Sequence, residues 1–149
     1  MTVIVQEEDF RADEVSDRHI KNNGSFGAMV CFTGLVRQDP DGSLVAMTLE
    51  HYPAMAQAAL KQIEAQARSR FELHEVLILH RFGHMVPGDR IMMVATTSPH
   101  RVEDLKAAEF LMDYLKTDAP FWKNEERKNG SDWVGSHADD ETRRAVWAK

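Results

Sequence analysis

Between Phe26 and Arg37 the sequence alternates, with Phe26, Ala28, Val30, Phe32 and Val36 on one side of the chain. A period of two buries one face of a strand and cannot bury one face of a helix, so this stretch predicts a long β-strand. Gly34 interrupts the pattern and predicts a bulge or a close backbone approach. Asp39-Pro40-Asp41-Gly42 reads as a turn and Leu44 to Tyr52 as the returning strand. The two strands are therefore expected to pair as an antiparallel hairpin, with Arg37 at the mouth of its loop. A lone arginine at a strand end is ordinarily solvated.

The remaining segments follow from punctuation and period. Thr2 to Gln6 reads as a short strand and Ala12 to Asn22 as a polar helix ended by Asn23-Gly24. Pro53 opens a helix running to about Arg70, with Ala56, Leu60, Ile63 and Ala67 on its buried side. Val76 to His80 and Ile91 to Thr97 read as strands separated by a Pro87-Gly88 turn. Phe121 to Glu125 and Asp132 to Val134 are expected as short strands around Asn129-Gly130. From about Gly135 the chain is polar, ending in a weak helical pattern from Asp140 to Trp147 that could lie loose or dock on a partner. With 149 residues and no linker or repeat, the chain reads as a single domain over 1–149. Strands and helices in this order, mostly antiparallel, indicate an α+β fold with helices packed on a sheet.

Composition removes several function classes. A net charge of -6 argues against a general nucleic-acid binder. No apolar run approaches a membrane span, and the opening residues MTVIVQEEDF lack the regions of a secretory signal, so the cytoplasm is the expected location. The single cysteine, Cys31, excludes an internal disulfide and a multi-cysteine metal site, and its place in an apolar run suggests a core residue rather than a nucleophile. His80 and His84 have a His-x3-His spacing, but without an accompanying cysteine or glutamate in a recognised arrangement they read poorly as zinc ligands, and no metal is expected.

The stretch Ser98 to Lys123 is the place to expect chemistry. Ser98 is suited to cap a helix that opens at Pro99, with Val102, Leu105, Ala108, Met112 and Leu115 as its core-facing stripe. His100 and Arg101 then fall in the first turn, where free N–H groups and a positive dipole favour a phosphate or carboxylate. A cation there opposes the dipole, so an arginine without an anion is misplaced. Pro120 ends the helix, leaving Lys116 at its end and Lys123 on the extended segment beyond. A turn between them could bring both ammonium groups to one pocket, although cations at a helix C-terminus are common and Lys123 could be an ordinary surface lysine.

The motifs FTGLVR at 32–37, LEHYPAM at 49–55, SPHR at 98–101 and MDYLKTDAPFWK at 112–123, followed by Trp133-Val134, resemble the large subunit of molybdopterin synthase. The match runs from about residue 26 to 134, with the motifs in the family's order. The resemblance implies an α/β-hammerhead type of fold and a homodimer of large subunits inside a heterotetramer. It also implies a small ubiquitin-like sulfur-carrier subunit at each end, whose C-terminal glycine carries a thiocarboxylate. Sulfur would pass to cyclic pyranopterin monophosphate, twice, to form the dithiolene of molybdopterin. No cofactor bound by the chain itself is implied; the pterin is the substrate.

Carried onto this sequence, the resemblance implies that substrate contacts fall at Leu35, Val36, Arg37, His100, Arg101, Lys116, Lys123, Asn124 and Glu125. Phe32, Met112 and Phe121 would form pocket walls, and Asn124 with Glu125 its rim. Lys116 and Lys123 match the two lysines that the family holds essential. An ammonium can neutralise a thiocarboxylate and stabilise a tetrahedral oxyanion; a lysine of lowered pKa, as neighbouring lysines favour, could act as base or form an amide with the glycine carbonyl. Lys116 is favoured as the lysine nearer the reacting carbon and Lys123 as its electrostatic partner. One departure stands out: where the family commonly has an arginine reaching across the dimer after the Trp-Val pair, this chain has Gly135-Ser136-His137, so His137, Arg143 or Arg144 would have to replace it. The expectation to test is that Arg37, Arg101, Lys116 and Lys123 converge on one cavity, within one chain or across a dimer. The competing readings are a non-catalytic module binding a phosphorylated ligand or a protein tail, and a purely structural dimerisation protein.

Overall fold

The computed structural model describes residues 2–134 and 138–148. In chain order the elements are β1 (Thr2–Gln6), α1 (Ala12–His19), β2 (Ala28–Leu35), β3 (Leu44–His51), α2 (Pro53–Arg70), β4 (Val76–Arg81), β5 (Gly83–Met85), β6 (Arg90–Ser98), α3 (Arg101–Asp118), β7 (Phe121–Arg127), β8 (Gly130–Val134) and α4 (Ala138–Ala145), with a 3-10 turn over Val146–Ala148. They make an α+β fold of two four-stranded sheets, in the orders β1-β4-β6-β2 and β5-β3-β7-β8. The β1–β4 pair is parallel and the other pairs are antiparallel. Among the described residues no helix is long and apolar enough to cross a membrane.

The first sheet is covered on both faces. On one face, Val76, Ile78, Met92 and Val94 meet Leu60, Ile63 and Ala67 of α2 and Phe110, Leu111, Tyr114 and Leu115 of α3. On the other, Leu77, Leu79, Met93 and Ala95 meet Phe10 and Ile20, which flank α1. Burial on both faces explains why β4 and β6 read as unbroken apolar runs. A third cluster, Val36, Leu44, Met47, Leu49 and Met85, fills the inner side of the second sheet, and Phe121 and Ile91 touch both it and the first cluster. Fully burying a side chain such as Leu60 contributes about 1.5–3 kcal/mol. The four residues expected on the buried side of α2 are all buried, and its Pro53 occupies the first turn, where its missing N–H costs nothing.

The expected β2–β3 hairpin does not form. β2 pairs with β6, while β3 pairs with β5 and β7 in the other sheet. The register of β2 slips between Gly34 and Leu35, as the glycine suggested, and the chain then leaves the sheet. Val36 is held there by the Val86–Asp89 turn: its N–H donates to the Asp89 carbonyl (2.8 Å) and its carbonyl accepts from the Gly88 N–H (2.8 Å). The Gln38 amide spans the loop mouth to both backbone groups of Leu44, at 2.9 Å each. β5 was not evident in the sequence, because three residues are too few for a period to register. The first helix stops at His19, three residues early, since Ile20 turns extended and enters the core.

Helix α3 also departs from expectation at its start. Ser98 does not cap it; it is the last residue of β6, and its hydroxyl donates to the Glu72 carbonyl at 2.7 Å. His100 takes the cap position and Arg101 is the first helical residue. The buried stripe is Asp104, Ala107, Ala108, Phe110, Leu111, Tyr114 and Leu115, whereas Val102 and Leu105 are 55% and 57% exposed. The cause is position: α3 packs on β6 and on β2, which is an edge strand, so the side of the helix that reaches past the edge has nothing to cover it. Cys31 is exposed on the same edge and is not a core residue. The polar C-terminal stretch is not loose where described: Trp147 packs edge-on against Phe71 and Phe110, with centroids 5.9 and 5.4 Å away.

Candidate functional site

Phe121 is the centre of the region where the two lysines lie. Its ring stacks on His80 of β4, with centroids 3.8 Å apart and planes at 13°, and on its other flank meets His51 of β3 at 5.7 Å. His51 in turn contacts Phe82 at 4.2 Å. Lys116, on the last turn of α3, is close enough for its charge to act on the His80 ring. Lys123 stands two residues beyond Phe121 on the same face of β7, because side chains alternate along a strand. The two lysines therefore lie either side of Phe121 along the chain, one on the end of α3 and one on β7. Pro120 is what allows it: the helix ends at Asp118, and the chain turns directly into β7.

His80 is buried, and burial holds its imidazole well down, to about 4, with the Lys116 and His51 charges pushing the same way. It is neutral at physiological pH. Sequence reading considered this histidine only as a metal ligand and set it aside. The available signal was a polar ring ending an otherwise unbroken apolar strand, which a fold seldom buries without use. His84 is exposed on β5, and no group of three or more potential metal ligands occurs among the described residues.

A ladder of alternating charge runs from Lys123 towards Arg37. The Lys123 ammonium lies 3.8 Å from Glu125, which also pairs with Arg127. Arg127 grips Asp39 at 2.6 and 3.2 Å, and Arg37 adds to the field that keeps the Asp39 carboxyl below its ordinary value, an effect led by the Arg127 hydrogen bond. Arg127 and Asp39 were absent from the sequence-level site. Leu35 is exposed, while Val36 is buried with both backbone groups engaged as described. Asn124 points to the opposite face of β7 from Lys123 and Glu125, in register with Thr48 and Trp133. Trp122 is on that outer face too, edge-on to Tyr52 at 5.3 Å.

By contrast with Lys123, Lys116 has no carboxylate partner among the described residues. The two acids nearest it along α3 are occupied by the C-terminal segment. Trp147 donates to Asp113 at 2.7 Å, with Arg143 3.6 Å from the same oxygen, and Arg144 holds Asp118 at 2.8 and 2.9 Å. Arg144 also lies over the Tyr114 ring at 4.8 Å, and Arg143 pairs with Glu109. Both arginines thus engage α3 of their own chain. His137 lies outside the described residues.

Phe32 and Met112 face each other across a cleft of about 310 Å³ between β2 and α3, lined also by Cys31, Glu109 and Arg143. Lys116 follows Met112 by four residues, on the same side of the helix. The Cys31 thiol is pushed up by its surroundings and by the nearby Asp104 carboxylate, which disfavours the thiolate a nucleophile needs. Asp104 is fully buried in the first turns of α3, and neither carboxylate oxygen makes a hydrogen bond among the described residues. Burial raises it to about 6; the Thr96 hydroxyl and Val30 N–H lie near and offset only part of that.

His100 and Arg101 are exposed at the other end of α3. The fifteen residues from Arg101 to Lys116 span about 22 Å at 1.5 Å each. Within one chain, then, His100 and Arg101 do not meet the lysines. Their placement depends on Gly27, where a Cβ would stand 2.5 Å from the Pro99 carbonyl oxygen, and whose N–H donates to Ser98.

Comparison with known proteins adds to this geometry. Residues 5–118 match the family described as MoaE protein. The chain is 46% identical over 147 residues to the molybdopterin synthase catalytic subunit of Cereibacter sphaeroides, covering 99% of this chain and 100% of the relative. It is 51% identical over 122 residues to the protein of the same name from Yersinia pestis, covering 81% of each. Among solved structures, the molybdopterin biosynthesis MoaE protein from Burkholderia ambifaria superposes with a TM-score of 0.84 at 41% identity, covering 99% of this chain and 98% of that one. The structure of molybdopterin synthase from Staphylococcus aureus superposes at 0.81 and 30% identity, covering 89% and 96%.

Proposed function

Because the chain belongs to the MoaE protein family, we propose that it is the catalytic subunit of a molybdopterin synthase and that Lys116 and Lys123 carry the chemistry. Sulfur passes from the C-terminal thiocarboxylate of a small ubiquitin-like subunit to cyclic pyranopterin monophosphate, and the expected setting is the cytoplasm. On each transfer, the carbon–sulfur bond of the small subunit's terminal carbonyl breaks. The thiocarboxylate sulfur first bonds to a pterin carbon, from which an oxygen substituent leaves; water then adds to the resulting thioester carbonyl, and the tetrahedral oxyanion collapses to a carboxylate on the small subunit with the pterin thiolate as leaving group. What supports this reading is the placing of the two lysines either side of Phe121 along the chain, Lys116 on the last turn of α3 with no carboxylate partner among the described residues and Lys123 on β7, 3.8 Å from Glu125. An unneutralised ammonium is the group able to attract an arriving thiocarboxylate and stabilise that oxyanion. Lys116 takes this part; Lys123, already near Glu125, supports it electrostatically. No cofactor is assigned to the chain, since the pterin enters as substrate.

We propose further that a second copy completes the site. The about 22 Å between Arg101 and Lys116 is too long for one small substrate to bridge in one chain. The outer edge of β2 is open, and Met29, Phe32, Leu35, Val102 and Leu105 around it are 43–57% exposed. Such an apolar rim suits an isologous two-fold contact. If two β2 edges run antiparallel across it, the Ala28 end of one, next to His100 and Arg101, comes beside the partner's Leu35 end, next to its Arg37. The phosphate would then sit among Arg37 of one chain and His100 and Arg101 of the other, held by planar guanidinium forks.

Incubating the chain with thiocarboxylated small subunit and cyclic pyranopterin monophosphate tests the reading, with dithiolene product as the readout. Wild type is expected to form product and Lys116→Ala to lose turnover while still binding substrate. Full turnover by Lys116→Ala would favour the non-catalytic module, which has no use for the lysine.

A further inference from the structure

We propose that the C-terminal segment keeps the Lys116 ammonium unpaired by occupying the carboxylates beside it, so that Arg143, Arg144 and Trp147 are positioning residues for sulfur transfer. The inference rests on the reading that Lys116 acts in that transfer. Asp113 precedes Lys116 by three residues on α3, and Asp118 follows it by two at the helix end. Side chains three apart on a helix are neighbours, so an unoccupied Asp113 would have the Lys116 ammonium within reach. Lys116 is also the only cation within one turn of Asp113 on that helix.

Neither acid is unoccupied. Trp147 Nε1 donates to Asp113 Oδ2 at 2.7 Å, and the Arg143 guanidinium stands 3.6 Å from the same oxygen. Arg144 closes a two-pronged pair on Asp118 at 2.8 and 2.9 Å. These donors are themselves fixed. The Trp147 ring is wedged edge-on against Phe71 and Phe110, Arg70 donates to the Trp147 carbonyl, and Arg144 lies over the Tyr114 ring. The Asp113 side chain is only 12% exposed, so water and salt screen its charge weakly. Stripped of its donors, that carboxylate would take the neighbouring ammonium. A Lys116–Asp113 pair would present no net charge to an arriving thiocarboxylate, and the tetrahedral oxyanion would lose its counter-charge. The C-terminal segment prevents that pairing while leaving Lys116 itself untouched.

Rescue separates this role from a purely structural one. The full-length triple variant Arg143→Gln, Arg144→Gln, Trp147→Phe removes the donors, and its phenylalanine keeps an aromatic ring against Phe71 and Phe110. With thiocarboxylated small subunit and cyclic pyranopterin monophosphate it is expected to lose about tenfold in kcat, less than the about 100-fold of deleting an oxyanion donor, because the ammonium is matched and not removed. Adding Asp113→Asn and Asp118→Asn to it is expected to restore wild-type kcat without restoring the melting temperature, since asparagine cannot neutralise an ammonium. Trp147→Phe alone is carried alongside, so that failure of the triple variant to fold leaves the test standing. It is expected to lose about threefold in kcat, the scale of one partly exposed ion pair, and to regain it with Asp113→Asn. Wild-type kcat in the donor variants, or a loss that the asparagines do not reverse, would overturn the proposal. Lys116→Ala is measured in the same assay. If it keeps full turnover, the reading of Lys116 fails and this role with it. If it is inactive while the donor variants turn over like wild type, the role of the C-terminal segment alone fails.

Discussion

Replacing Asp104 by asparagine should stabilise this protein, and only above about pH 5. The carboxyl is buried without a hydrogen bond among the described residues, and burial raises it from 3.8 to about 6. Each tenfold change in proton affinity is worth 1.36 kcal/mol, so the native state loses about 3 kcal/mol when this group ionises. The sign follows from linkage. The folded chain holds the proton more tightly than the unfolded chain, so the stability of the protonated form is complete below 3.8, falls between 3.8 and about 6, and stays lost above that. Asparagine is nearly isosteric with the protonated acid and never ionises. Urea unfolding of wild type and Asp104→Asn at pH 4 and pH 8 is the assay. The variant should match wild type at pH 4 and gain about 3 kcal/mol at pH 8, or about 10 °C in melting temperature for a chain of 149 residues. An equal difference at both pH values, or a loss at pH 8, would refute the reasoning, the latter by showing that Val30 and Thr96 do bond the carboxylate.

Three other outcomes are expected. Co-expressed Lys116→Ala and Arg101→Ala chains should complement one another. Each homodimer is inactive, whereas a mixed dimer rebuilds one of two sites, giving roughly a quarter of wild-type turnover on random mixing; no recovery would show that the site is not shared. Gly27→Ala should destabilise by about 1–3 kcal/mol, since the new Cβ meets a backbone carbonyl at 2.5 Å, and should weaken pterin binding by shifting His100 and Arg101; thermal melts and equilibrium dialysis check both. Trp147→Ala should cost about 2 kcal/mol of packing and release Asp113, read as faster tryptic cleavage after Arg143 and Arg144.

What could be read from the sequence depended on how far a signal reaches along the chain. The α2 helix was legible to its ends because Pro53 marks the start and the 3.6-residue period of Ala56, Leu60, Ile63 and Ala67 marks its face. The lysines were legible through the residues around them, and Pro120 placed them on either side of a helix end. The partner of β2 was not legible. Alternation reports which face of a strand is buried and is silent on which strand lies alongside; the nearest turn suggested β3, and contacts with Gly88 and Asp89 decided otherwise. The stripe on α3 held at Ala108 and Leu115 and failed at Val102 and Leu105, for a related reason. Val102 and Leu105 keep helical spacing, but their side of the helix overhangs an edge strand. His80 was weighed only as a metal ligand because its stacking partner, Phe121, is more than thirty residues away in the chain.

Local periods, caps and turns settle where each element begins and which side chains it offers, because those depend on neighbours within a few residues. On that basis the chain alone determined an α+β domain, its principal helices and strands, and the lysines, arginines and histidine worth examining. Which ends meet is a long-range matter. The tertiary structure laid Phe121, which stands between Lys116 and Lys123 in the chain, flat on His80 of β4, and paired β2 with β6 in place of β3, since backbone pairing and core packing link segments that local pattern leaves independent.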